Sequence, residues 1–371
     1  MPTLLIAIRN LFGERGRFII TVTGVTFSVV LIIVLQALYQ GWTAKMGQYI
    51  EAQDADLWVA QAGSRDMSHS ISLLPSSAKQ TITDLSSVAS VTPFIGKRVG
   101  LEIKGKDRII YLVRYDPTAT VGGPVKLIEG RANLSAGEVI IDRVFANNTG
   151  FKLGDTITVG NESFTIIGLA SGGDLVAMSF AFISPADADR LFQLPNLTSY
   201  FLISVSPGAD REQVAQAITT AVPNSIVYTK EEFIEINGQF IREAFLPIIL
   251  VLVLIGVATG IAVIGLTIFT STIEKAREYG VLKAIGATGG QLNRVVAIQS
   301  LTSGLIGYAI GVIVSFLLGI IVGRFVPEFV VRFRLFDFAW IFALAIVMAL
   351  SAALIPTRRI ASINPADVFK A

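Results

Sequence analysis

Four uninterrupted apolar runs divide this chain: Phe18–Leu38, Phe245–Thr270, Leu301–Gly323 and Phe336–Pro356. Each meets the roughly 20 residues that a helix needs to cross a bilayer. None contains Lys, Arg, His, Asp or Glu except Asp337, at the edge of the last. In hydrocarbon every backbone amide must be paired within the protein, which restricts such runs to spanning helices. Pro247, near the start of the second run, and Pro356, at the end of the fourth, stand where a missing amide does little harm. The expected fold class is an integral membrane α-helical protein. It has four transmembrane helices, with an α+β extracytoplasmic domain inserted between helices one and two. The expected spans are 18–40, 245–273, 301–323 and 336–356. The first run exceeds the 7–15 apolar residues of a cleaved leader, and no A-x-A site follows it, so it reads as a retained span.

Basic residues near the runs set the orientation. Arg9, Arg15 and Arg17 precede the first span. Lys275, Arg277, Lys283 and Arg294 follow the second, and Arg358, Arg359 and Lys370 follow the fourth. Against these ten stand Arg324, Arg332 and Arg334 in the 324–335 loop. Both termini, the 274–300 loop and the 357–371 tail are therefore expected in the cytoplasm, with 41–244 outside. Tyr39, Trp42, Phe245 and Trp340 then fall at the outer interface, where aromatic belts form.

Composition removes several function classes. A net charge of +2 gives no reason to expect nucleic acid as a partner. The absence of cysteine excludes disulfides, thiol catalysis and cysteine-bound metals. His69, the one histidine, is too little imidazole for a usual zinc or haem site or catalytic triad, and it reads as a solvated loop residue. Apart from Asp337 at the edge of the last, no charged residue lies within the spans and no inverted repeat is visible, which argues against an ion-coupled carrier.

The outer segment reads as α+β. In "GDTITVGNESFTIIGLA" (154–170) Ile157 and Val159 alternate with threonines, Gly160-Asn161 supplies a turn, and Phe164 and Ile166 resume the alternation. A second strand pair is expected around Lys104–Asp107. "SYFLISVS", "GADREQVAQAITTAV" and "SIVYT" spell strand, helix and strand, a βαβ order. Two subdomains are expected, an α/β piece from 44–125 plus 197–240 and a β-rich insertion at about 126–196. Ala44–Gln53 and Glu231–Glu243 lack the Gly/Ser/Pro content of linkers and are expected to extend the spans as a helical stalk.

Between spans two and three lies "EKAREYGVLKAIGATGGQLNRVV" (274–296). Glu274 with Arg277 and Lys275 with Glu278 have i,i+3 spacing, and Tyr279, Leu282, Ile285 and Gly286 follow one face. "GATGG" interrupts the helix, and Thr288 with Gln291 fits a T-x-x-Q capping box. By pattern alone this segment fits an interfacial helix resting on lipid as well as a docking surface. Leu4, Leu5, Ile8, Leu11 and Phe12 likewise form the apolar face of an amphipathic interfacial helix at 1–17. Gly256/Gly260, Gly307/Gly311 and Gly319/Gly323 have GxxxG spacing, suited to close packing within one chain or between two.

"EKAREYGVLKAIGAT" closely resembles the cytoplasmic signature of the FtsX/MacB-like ABC transporter permeases, G-x-L-(K/R)-A-(I/L)-G-A after a charged helix. "GEVIIDRVFANNTGFKLGDTITVGNESFTIIGL" (137–169) looks like that family's outer-domain core, and "PADVFKA" like its closing P-x-x-x-(L/F)-(R/K) motif. The order of one span, large outer domain and three spans also agrees. The resemblance implies a coupling helix that docks on an ATPase through Glu274, Arg277, Glu278, Tyr279, Leu282, Lys283 and Ile285. Gly286 and Gly289-Gly290 would form the turn. It further implies a bacterial plasma-membrane location, a second permease subunit as partner, and room for a periplasmic adaptor or extracellular protein. No G-x-x-x-x-G-K-[ST] phosphate loop occurs in this sequence. The ATPase is therefore expected on a separate chain, with ATP and Mg there and no cofactor here.

The function this implies is a permease subunit that couples ATP hydrolysis by a separate ATPase to movement of the outer domain, for export or extraction of a substrate. One alternative is a non-transporting subunit that switches a cell-wall hydrolase or sensor kinase. Another is a membrane-anchored binding protein without an ATPase.

Overall fold

The computed structural model describes residues 13–67, 70–175, 178–326 and 329–361, together with 7, 9 and 11. Leu4, Leu5, Ile8 and Phe12 of the expected interfacial helix, His69, and the PADVFKA stretch lie outside the described residues. The chain separates into two compact units, Met1–Gly41 with Ala244–Ala371, and Trp42–Glu243.

The first helix, α1, runs Arg15–Ala52. After it come β1 (Leu57–Gln61), β2 (Leu74–Pro75), α2 (Ala78–Thr83), β3 (Val88–Phe94), β4 (Gly96–Ile103), β5 (Lys106–Arg114), β6 (Lys126–Gly130) and β7 (Glu138–Asp142). Next are α3 (Arg143–Thr149), β8 (Thr156–Val159), β9 (Glu162–Ser171), β10 (Asp174–Leu175), β11 (Met178–Ile183) and α4 (Pro185–Phe192). Then follow β12 (Leu197–Thr198), β13 (Tyr200–Val205), α5 (Arg211–Ala221) and β14 (Ser225–Thr229). The remaining helices are α6 (Lys230–Glu274), α7 (Ala276–Ala284), α8 (Gly289–Phe325) and α9 (Leu335–Ala361).

In the outer unit, one sheet has the order β14-β1-β13-β3, antiparallel throughout. The βαβ order read from β13, α5 and β14 is present, but β1 lies between its two strands. β13 divides the β1–α2–β3 unit in the same way, which makes a ferredoxin-like βαββαβ sheet. Alternation along β1 sends Leu57 and Val59 toward α2 and α5, where they pack with Ile82, Phe201, Ile203, Val214 and Ile218. Trp58 points the other way and stacks on Phe233 near the start of α6, centroids 5.1 Å apart.

Between β3 and β13 the chain builds a second, mixed sheet, β4-β5-β11-β7-β9-β6, with β10 on β11 and β8 on β9. The alternation read at 154–170 forms β8 and β9, with Ile157 opposite Phe164 and Gly160 at φ +62 in the turn. The expected boundary at 126 needs correction, because the insertion begins at Gly96. β4 and β5 form the expected hairpin, but β5 joins β11 in parallel, Leu112 beside Ala181, and so belongs to the inserted sheet. Burial of Ile110 and Leu112 against Val139, Phe164 and Ala181 holds it there.

In the other unit, four helices among the described residues have the length and hydropathy of membrane spans. Two carry a correction concerning proline. Pro247 lies well inside α6 and Pro356 inside α9, not at their ends, so each interrupts the i→i−4 ladder within a helix. Val25, Val29, Ile32, Ile264, Val296, Ile341 and Ala349 form the shared core. Gly307 and Gly311 face α1 in the same chain, where a Cβ would lie 2.6 Å from Val25 Cγ1 and 2.7 Å from Val29 Cγ1. Asp337, the acid at the edge of the fourth run, is buried and accepts hydrogen bonds from Gln36 Nε2 (3.1 Å) and Trp340 Nε1 (3.3 Å).

Candidate functional site

Helix α6 ends at Glu274, and Lys275 separates it from α7 with φ −91 and ψ 13. The i,i+3 pairs expected within the loop do not form. Glu274 instead pairs with Arg17, and Lys275 Nζ lies 2.8 Å from Glu14 Oε1. Glu14 also binds Arg17 at 3.0 Å and accepts from the Ser271 hydroxyl at 3.2 Å. Long-range partners win because the segment before α1 lies against this junction, and a carboxylate held by several donors outcompetes an exposed neighbour on the same helix. Burial pushes the Glu14 carboxyl up, but the bonds from Lys275, Ser271 and Arg17 and the charge of Lys275 outweigh it and hold it below the usual range.

The far end of α7 closes with a Schellman motif. Gly286 adopts φ +103, its N–H donates to Lys283 O at 3.0 Å, and the Ala287 N–H donates to Leu282 O at 2.9 Å. Leu282 and Ala287 both pack on the span core, as the motif's apolar contact requires. Two residues later the capping box forms. The Gln291 N–H donates to Thr288 Oγ1 (3.3 Å), and the Thr288 N–H to Gln291 Oε1 (2.9 Å). Between them the two caps hold the 285–288 turn with few free torsions.

The structure sorts the residues singled out from sequence into two sets. Tyr279 is 3 % exposed and packs with Ile268, Leu292 and Val296, Leu282 packs beside it, and Lys283 is half-buried. Arg277, Glu278 and Gly286 are exposed, Ile285 is 80 % exposed, and Glu274 is exposed but engaged by Arg17. Positions 277, 281 and 285 follow i,i+4 spacing, which puts Val281, 39 % exposed, on the same outward stripe. Sequence reasoning passed over Val281, although its spacing was the signal. It also passed over Glu14, whose signal is that it is the lone acid among the arginines preceding span one. The result is a short rigid helix, tethered by ion pairs at one end and capped at the other, presenting a mixed charged and apolar stripe.

Residues 18–221 match the family model of the MacB-like periplasmic core domain, and residues 249–365 match that of the FtsX-like permease C-terminal region. The chain is an ABC transporter permease of the FtsX/MacB-like family. An uncharacterized ABC transporter permease of Mycobacterium tuberculosis is 23% identical to this permease over 371 residues, 99% of each chain. A probable export ATP-binding/permease protein of Pseudomonas fluorescens is 23% identical over 334 residues, which cover 81% of this permease and 50% of that protein. Among solved structures, the periplasmic region of MacB from Actinobacillus actinomycetemcomitans matches with a TM-score of 0.37 and 15% identity, covering 53% of this permease and 96% of that chain.

Proposed function

We propose that this permease is the membrane subunit of an ABC system whose ATPase, carried on a separate chain with its ATP and Mg, docks on the outward stripe of α7. The observation that carries this reading is the α7 unit itself. Its exposed residues Arg277, Glu278, Val281 and Ile285 combine charge with apolar surface, while both ends are fixed so that a push at the stripe is not absorbed by the loop. The Pseudomonas relative, a probable export ATP-binding/permease protein, joins ATP binding, export and permease in one protein, which supports the same association for this chain. In this reading both termini and α7 lie in the cytoplasm of a bacterial cell, and a second permease subunit completes the complex. α1 and α6 run without a chain break from the spans into the outer unit and carry the motion. The output is export or extraction of a substrate on the outer side.

The test is co-expression of the full chain with the ABC ATPase of its own system, followed by pull-down and ATP hydrolysis in lipid. Glu278→Ala combined with Ile285→Asp is expected to abolish co-purification and lower turnover about tenfold or more. Unchanged assembly and unchanged turnover in that variant would refute the docking assignment.

A further inference from the structure

A cleft of about 430 Å³ opens on the outer unit, where the loop after α4 crosses the junction of the two sheets. That size lies within the range of small-molecule sites, about 300–1,000 Å³. Its walls are Pro93, Ile95, Phe192, Leu194, Pro195 and Leu197, and its polar lining includes Arg114, Lys79, Asp189 and Ser76. Arg114 stands at the end of β5, fixed by its own N–H on Ile95 O at 3.0 Å. Its Nε is buried and has no hydrogen-bond partner. The nearest carboxylate, Asp189 Oδ1, is 3.6 Å away on a side chain that is 73 % exposed, too far for a hydrogen bond. Asp116, an acid within electrostatic reach of Arg114 and Lys79, has its Oδ1 engaged by the Thr118 N–H and hydroxyl. A guanidinium partly withdrawn from water, with its Nε unmet, favours a planar anion able to take the Nε–H and a neighbouring N–H at once. The apolar wall beside it favours a ligand whose remainder is hydrocarbon. The wall is also shaped by backbone that ordinary residues avoid, since Gln193 and Asn196 take φ +52 and +62 and turn the loop over the cleft.

We propose that this cleft binds a small monocarboxylate with an apolar body, its carboxylate on Arg114 and its body against Phe192, Leu194, Pro195 and Leu197. The assignment stands independently of the ATPase reading. Lys79 and Ser76 lie at the rim beside the head group, and Asp189 competes weakly for the same guanidinium. A second carboxylate on the ligand would meet Asp189, and a neutral head group would leave Arg114 with only its 3.6 Å ion pair to Asp189.

The experiment uses the full chain in lipid nanodiscs, with octanoate as the probe, octanamide as its neutral counterpart and empty nanodiscs as the partition blank, read by titration calorimetry. Octanoate is expected to bind the wild type saturably, and octanamide about tenfold more weakly. Arg114→Gln is expected to weaken octanoate about tenfold while leaving octanamide unchanged, and Arg114→Lys to fall between because it loses the fork. Asp189→Asn, a mild change at an exposed position, is expected to tighten octanoate severalfold by removing the competing carboxylate. The proposal is overturned by absent saturable binding above the blank, by equal affinity for octanoate and octanamide, or by an Asp189→Asn affinity that is unchanged or weaker.

Discussion

Glu14 and Lys275, far apart in sequence, meet at 2.8 Å where the segment before the first span touches the start of α7. Lys275 is the residue at which α6 gives way to α7, so this pair anchors the candidate docking helix at its hinge. Both side chains are mostly covered, 16% and 25% exposed, which spares the pair much of the solvent screening that weakens surface ion pairs.

Removing either partner is expected to loosen the junction. Glu14→Gln or Lys275→Ala should cost about 1 kcal/mol locally, seen as faster hydrogen exchange over residues 271–284. The exchanged pair Glu14→Lys with Lys275→Glu should recover part of that loss. Because the folded-state Glu14 carboxyl titrates below its unfolded value, the clamp contributes fully above the ordinary carboxylate range. It is lost as pH falls through the lowered folded value. Exchange protection that is insensitive to all three variants would show that the pair does not hold the junction.

Gly286 is the pivot at the other end. Its φ of +103 suits glycine, and no atom lies within 4 Å of where a Cβ would stand, so the cost of a side chain is conformational rather than steric. Gly286→Ala is expected to destabilise the turn by about 1 kcal/mol and to increase exchange at the Ala287 amide, which donates to Leu282. An unchanged Ala287 amide would show that the turn tolerates another conformation.

Gly307 offers a contrasting case in which space decides. A Cβ there would fall 2.6 Å from Val25 Cγ1 on a helix core that has no slack. Gly307→Ala is expected to lower stability by about 1–3 kcal/mol through overpacking, measured as a drop in thermal midpoint of the solubilised chain. The double variant Gly307→Ala with Val25→Ala should regain much of it. Equal midpoints for wild type and Gly307→Ala would place α1 and α8 farther apart.

The outer unit carries its own pH response. Asp142 is 1 % exposed at the N-cap of α3, accepting from the Val144 N–H at 2.7 Å and the Gly173 N–H at 3.1 Å. Burial pushes its carboxyl up to about 6, with the nearby Asp174 charge adding to the rise, while the two amide bonds and Lys45 oppose it. Lys45 pairs with Asp174 at 2.8 Å. Between the unfolded carboxylate range and pH 6 the folded state binds more protons than the unfolded. Its contribution to stability therefore decreases as pH rises through that window, by roughly 3 kcal/mol at most. Asp142→Asn is expected to flatten that dependence. It should also lower stability, because an amide nitrogen facing the Gly173 N–H cannot accept its hydrogen bond. An unaltered pH profile of exchange in β7 and α3 would rule out Asp142 as its source.

Local patterns carried much of this architecture. The four apolar runs, the 154–170 alternation and the Thr288–Gln291 box each form their element from neighbouring residues alone. A hydrophobic period or a cap is satisfied within a few residues and so can be read along the chain. Membership of the FtsX/MacB-like permeases was likewise legible in the residues of the loop between spans two and three. What the spacing left open is which pairings win when many partners compete across the fold. The i,i+3 ion pairs of 274–278 yielded to Glu14 and Arg17, because carboxylates choose among all donors that tertiary packing brings near. The strands from Gly96 were legible as a hairpin. Their membership in the inserted sheet was not, since backbone hydrogen bonds are the same whichever sheet a strand joins, and only burial of Ile110 and Leu112 decides. Tyr279 and Ile285 look equally apolar along the chain, and it is the neighbouring span core that buries one and leaves the other facing outward.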